Sequence, residues 1–201
     1  SFEKAAIAIF IAGTLDGLDG RVARMTNTQS AFGTEYDSLS DVIAFGVAPA
    51  TLAYSWSLAT LGKFGWMVSF IFVACAALRL ARFNTQIDVA DKSFFTGLSS
   101  PVAAGLVASL IWVGFDLKIE NFYFTVMLVI SVLLAALLMV SNIPFYSFKD
   151  IGTKGRVPFS MMLAMISVFV FIFIDPPKIL LLMSVIYVVS GPVIVYRKKM
   201  G

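Results

Sequence analysis

Two short stretches hold the residues best suited to chemistry, DGLDGRVAR at 16–24 and GTEYDSLSD at 33–41. Asp16 and Asp19 stand three residues apart and Asp37 and Asp41 four apart, so each pair shares a face if its segment is helical. Four carboxylates facing one another at a membrane boundary repel and lose hydration, and a divalent cation compensates for both. Oxygen-only ligation favours Mg²⁺, with Mn²⁺ a near substitute. Two such ions about 3.5–4 Å apart can hold a diphosphate and polarise its phosphorus. Gly17, Gly20 and Ala23 leave room on the first helix for a ligand or another backbone, and Gly33 either ends the connecting loop or admits a bulky group. Arg21 and Arg24 are rigid multi-donor groups suited to phosphate oxygens. Taken singly, each has a plainer reading: an aspartate cap, a helix-packing glycine, an arginine that marks topology. Taken as a set, they point to phosphoryl chemistry.

A second polar cluster lies in ALRLARFN at 77–84. Arg79 and Arg82 are three apart, so they can face one cavity or snorkel together from a helix end. Asn84 reads as a cap or turn residue, Glu35 as part of the first turn of its helix, and GLSSP at 97–101 as a helix start or a small-substrate contact. The loop YSFKDIGTKGR at 146–156 can cover the site; its Lys149, Lys154 and Arg156 also suit topology or anionic lipid.

The elements that must position these residues follow from composition. Of 201 residues, 59% are hydrophobic and 13% charged, with a mean hydropathy of +0.91, far too apolar for a soluble domain of this length. A net charge of +3 gives no nucleic-acid groove, a single cysteine excludes an internal disulfide, and the lack of histidine excludes His-based triads and histidine metal sites. The pattern predicts an all-α polytopic bundle forming one transmembrane catalytic domain over 1–201. Helices are expected at 5–25, 36–60, 64–83, 97–115, 121–141, 157–174 and 178–196, seven spans in all. Eleven Lys and Arg fall on one side and four on the other, Lys4, Lys63, Lys118 and Lys178. By the positive-inside rule the carboxylates, the loops 84–96 and 142–156 and the YRKKM tail face the cytoplasm. Trp66 reads as an interface anchor, and the start of the chain does not read as a cleavable signal peptide.

Asp16, Asp19, Gly20, Ala23, Arg24, Gly33, Asp37 and Asp41 together reproduce the signature of the CDP-alcohol phosphotransferases, which the chain resembles closely. DSLSDVIAFGVAPA, ALRLARFN, KSFFTGLSSP and YSFKD further resemble the membrane-embedded branch that makes phosphatidylserine in bacteria, a likeness running nearly end to end, although that branch often carries Pro where this chain has Ser99. The resemblance implies that Asp16, Asp19 and Asp37 ligate metal, with Asp41 near a second ion and placed as general base. It implies that Asp19, Gly20, Ala23 and Arg24 contact CDP-diacylglycerol, with Gly33 giving the cytidine access to backbone. It also implies a homodimer in the bacterial inner membrane and one further helix upstream of Ser1. Arg79 and Arg82 then become candidates for the serine carboxylate, since a guanidinium pairs with it in bidentate fashion. The expected reaction is attack of the serine hydroxyl on the β-phosphorus of CDP-diacylglycerol, releasing CMP.

Two other readings remain. A sibling transferase would pass the same group to glycerol 3-phosphate, inositol phosphate or choline, and the signature does not choose the acceptor. A cation-coupled transporter would also use intramembrane carboxylates, but nearer the bilayer midplane and without an anion-binding Arg24.

Overall fold

The computed structural model describes residues 1–26, 30–86, 94–119, 121–146 and 159–200. Its helices are α1 (Phe2–Thr26), α2 (Ala31–Asp41), α3 (Ala48–Trp56), α4 (Lys63–Gln86), α5 (Ser100–Asp116), α6 (Phe122–Val140), α7 (Phe159–Ile174) and α8 (Pro176–Met200). The expected span at 36–60 is therefore compound: a widened π-helical turn, Val42–Val47, joins α2 to α3, and a 3₁₀ turn, Leu58–Leu61, follows. The π turn has a local cause in Pro49, which lacks an N–H and whose ring would press on the Phe45 carbonyl in a regular α-helix. Consistent with the widening, the Ala48 N–H reaches back five residues to the Ile43 carbonyl.

Local chemistry sets the other boundaries. Ser30 caps α2, its Oγ accepting from the Gly33 N–H at 3.0 Å, so α2 starts earlier than expected and Gly33 lies in its first turn rather than at the end of a loop. Glu35 accordingly falls beyond that first turn. Asn121 caps α6, accepting from the Phe124 N–H at 2.8 Å. Asp175 precedes α8 and pairs with Lys178, whose hydrogen bond holds the Asp175 carboxyl below its ordinary value.

Helix α5 is the centre of the bundle. It packs on α1, α6, α8 and α3, and the small side chains of Ala103, Ala104, Gly105 and Ala108 let those neighbours come close. Helix α4 packs chiefly along α6. At one end of the bundle Phe2, Trp56 and Phe115 form a chain of edge-on rings and Ser57 donates to Thr125 at 2.9 Å. At the other end lie the aspartates and a small antiparallel ribbon, which the sequence did not predict, pairing β1 (Phe94–Thr96) with β2 (Pro144–Tyr146). Gly97 leaves β1 with φ at +82°, and its N–H donates to the Ile143 carbonyl at 2.9 Å. Phe145 is fully buried from β2 and stacks on Tyr187 of α8, where Gly191 has no side chain to block the ring.

Three helical stretches among the described residues are long and apolar enough to cross a membrane: Lys63–Thr85, Phe122–Val140 and Pro176–Tyr196. The chain is thus an all-α, multi-pass membrane protein. Helix α1 is long enough, but its charged residues interrupt the apolar run, and the 17-residue α5 is apolar and almost wholly sheathed by protein.

Candidate active site

Helix geometry brings the two aspartate pairs together. Asp16 and Asp19 project from one face of α1 and Asp37 and Asp41 from one face of α2. Asp16, Asp19 and Asp37 each offer a carboxylate oxygen lying within 4.8 Å of the others. Asp41 stands beside Asp16, and its carboxyl lines the same cavity. Asp16 and Asp41 are half-buried, whereas Asp19 and Asp37 are exposed. The charges of Asp19 and Asp37 repel Asp16, and Arg79 acts on Asp41 with the opposite sign.

All four carboxylates line one cavity of about 390 Å³. Its remaining wall comes from Ala12 and Leu15 of α1, from Gly33, Tyr36 and Ser40 of α2, and from Ala44 and Phe45 of the π turn. The donor set is hard carboxylate oxygen. Oxygens bound to one Mg²⁺ at about 2.0–2.1 Å lie up to about 4.2 Å apart, so small side-chain adjustments fit the three aspartates around a divalent ion.

The remaining expected site residues are placed as follows. Gly20 sits on α1 one residue beyond Asp19; Ala23 and Arg24 continue that helix, and their side chains lie outside the described residues. A Cβ at Gly33 would stand 3.1 Å from the Ser30 hydroxyl, so the glycine both lines the cavity and spares the helix cap. Gly17 has open space around its Cβ direction and packs no helix here. Arg79 donates to the fully buried Ser100 hydroxyl at 2.9 Å and lies 5.8 Å from the centre of the Phe83 ring. Arg82 turns instead to the end of α6, donating to the Ser141 carbonyl at 3.3 Å and the Asn142 side chain at 3.2 Å. Neither arginine is part of the cavity wall. Asn84 is not a cap: it lies inside α4 and donates across to Ser38 at 2.9 Å, tying α4 to the helix that carries Asp37. Lys149, Lys154 and Arg156 lie outside the described residues.

Sequence reasoning missed Tyr36, Ser40 and Phe45 as cavity residues. The signal was there, since Tyr36 falls three positions after Gly33, Ser40 three after Asp37 and Phe45 four after Asp41 on the same helical path, but apolar and hydroxyl side chains carry no chemical flag of their own.

The profile of the CDP-alcohol phosphatidyltransferase family matches residues 1–148, which include every cavity residue. The chain belongs to this family. Relatives within it extend the likeness towards the C-terminus. The CDP-diacylglycerol–serine O-phosphatidyltransferase of Helicobacter pylori is 41% identical over 195 residues, covering 94% of this chain and 78% of the relative. A protein of the same name from Methanocaldococcus jannaschii is 36% identical over 183 residues, covering 91% and 80%. The archaetidylserine synthase of Methanothermobacter thermautotrophicus is 37% identical over 156 residues, covering 77% and 63%. This CDP-alcohol phosphatidyltransferase carries Asp16, Asp19, Asp37 and Asp41 at one end of the bundle, on two successive helices that line one cavity.

Proposed function

We propose that the protein transfers the phosphatidyl group of CDP-diacylglycerol to the hydroxyl of L-serine, giving phosphatidylserine and CMP. The observation that carries this reading is the gathering of Asp16, Asp19 and Asp37 within 4.8 Å in a chain of this family. The names of the relatives select serine as acceptor.

In the proposed mechanism Asp16, Asp19, Asp37 and Asp41 hold two divalent ions, Mg²⁺ or Mn²⁺. When bound, these supply charge neutralisation at the diphosphate and at the departing CMP. Asp19, Gly20, Ala23, Arg24 and Gly33 bind and orient the donor, with Arg24 on its phosphate oxygens. The serine oxygen forms a bond to the β-phosphorus as the bond from that phosphorus to the CMP oxygen breaks, and CMP leaves with the electron pair. Asp41 accepts the hydroxyl proton, and Asp37, on the same face of α2, is the second catalytic carboxylate. Arg79 and Arg82 are the proposed partners of the serine carboxylate. A guanidinium has five N–H donors, so the bond to Ser100 engages only part of Arg79.

The proposal extends to the setting. Residues 1–201 act as one catalytic domain with seven spans, as a homodimer in a bacterial-type cytoplasmic membrane. The cavity faces the cytoplasm, and the donor's acyl chains stay in lipid. The test is CMP release by the protein in lipid or detergent with Mg²⁺ or Mn²⁺, comparing L-serine with glycerol 3-phosphate, inositol phosphate, choline and no acceptor. Metal-dependent release stimulated by L-serine alone supports the reading. Stimulation by another alcohol overturns the acceptor, and no release with any of them overturns transfer.

A further inference from the structure

The π-helical turn Val42–Val47 begins at the residue after Asp41 and ends two residues before Pro49. It is fastened on two sides. Phe45, 1% exposed, lays its ring against Gly13 of α1, where a Cβ would stand 3.5 Å away; Gly13 precedes Asp16 by three residues. Gly46 is buried against α4, where a Cβ would meet that of Ala76 at 3.2 Å and the Val73 Cα at 3.9 Å. On the far side of Asp41, Asn84 of α4 holds Ser38 at 2.9 Å. The segment bearing Asp37 and Asp41 is thus gripped above and below.

We propose that this π turn, seated through Phe45 on Gly13, sets the rotational register that brings Asp37 and Asp41 onto the same cavity as Asp16 and Asp19. Phe45, Gly13 and Gly46 are then positioning residues. Successive α-helical residues are about 100° apart around the axis and about 1.5 Å apart along it. Loss of one residue from the turn therefore swings α2 by about that angle relative to α3, carrying both aspartates off the face opposite α1. This deepens the proposed function by naming what aligns its carboxylates.

The test bridges Asp16→Cys to Asp41→Cys with a short bifunctional thiol reagent in a Cys75→Ala background, which needs neither metal nor turnover. A failure of the serine-transfer reading therefore leaves this test standing. Deleting Ile43 is expected to lower the bridged fraction at least fivefold in protein that stays monodisperse in detergent. Ile43→Ala, which loses the same 64% exposed side chain but keeps the residue count, is expected to bridge like the parent. If the deletion does not yield folded protein, Phe45→Ala replaces it and is expected to lower bridging at least threefold, while Phe45→Leu retains it. Equal bridging in a folded deletion variant overturns the proposal, as does equal bridging in Phe45→Ala where that variant decides.

Discussion

At the residue scale, the site places mutual repulsion where the chemistry needs charge. Asp16→Asn or Asp37→Asn should lower CMP release by about a thousandfold, on the order of 4 kcal/mol in the barrier. The same variants should raise the melting temperature of metal-free protein, because each removes one of the facing charges around Asp16. A merely structural aspartate would lower it, so kinetics and melting in one preparation separate the two. Gly17 gives a complementary prediction. Its Cβ direction is open, so Gly17→Ala should stabilise α1 by about 0.5–1 kcal/mol through helix propensity, measurable by thermal unfolding in detergent. The two arginines also differ in what holds them. Ser141 and Asn142 hold Arg82 to the end of α6, so Arg82→Ala should cost about 1–3 kcal/mol of stability. Arg79→Gln, like Arg82→Ala, should raise the KM for serine more than it lowers kcat. The aspartates were legible because their spacing matches the helical repeat. The separate destinations of Arg79 and Arg82 were not, because two residues three apart on one helix share a face whatever lies opposite.

At the element scale, most helices could be read from apolar runs and their punctuation. The expected 64–83 and 121–141 became Lys63–Gln86 and Phe122–Val140, the latter starting where Asn121 caps it. Two elements escaped. The π turn is written only as Pro49 inside an apolar run, and hydrophobicity does not register a change of helical pitch. The β ribbon pairs Phe94 with Tyr146, too distant in sequence for any turn signal and too short for an alternating pattern. Its anchor is testable. A Cβ at Gly191 would strike the Phe145 ring, so Gly191→Ala should destabilise the fold by about 1–3 kcal/mol, and Phe145→Leu in the same chain should recover part of that loss in the unfolding midpoint.

At the scale of the whole molecule, the two ends of the bundle differ in kind. The ring chain of Phe2, Trp56 and Phe115 marks the end near Lys4, Lys63 and Lys118, while the aspartates, the arginines of α4 and the ribbon share the other. This separation was legible in the charge pattern, although the sheathing of α5 was not, since an apolar helix reads alike whether lipid or protein surrounds it. In a Cys75→Ala background in intact cells, a membrane-impermeant thiol label should reach Lys63→Cys and spare Asn142→Cys until the membrane is opened. The reverse pattern would turn the site to the outside.

The ribbon also bears on how the chain is assembled. Strand β2 follows α6 directly, so β1 has no partner until α5 and α6 have both been synthesised and folded back on each other. Its closure comes late, after two more helices have entered the bundle, and it fastens the end of the molecule where the aspartates already sit. A nascent chain cut short before Pro144 would have the Asp16–Asp41 region complete and the ribbon open. Protease sensitivity at Phe94–Thr96 would then serve as a clock for biogenesis, vanishing once the β2 residues join.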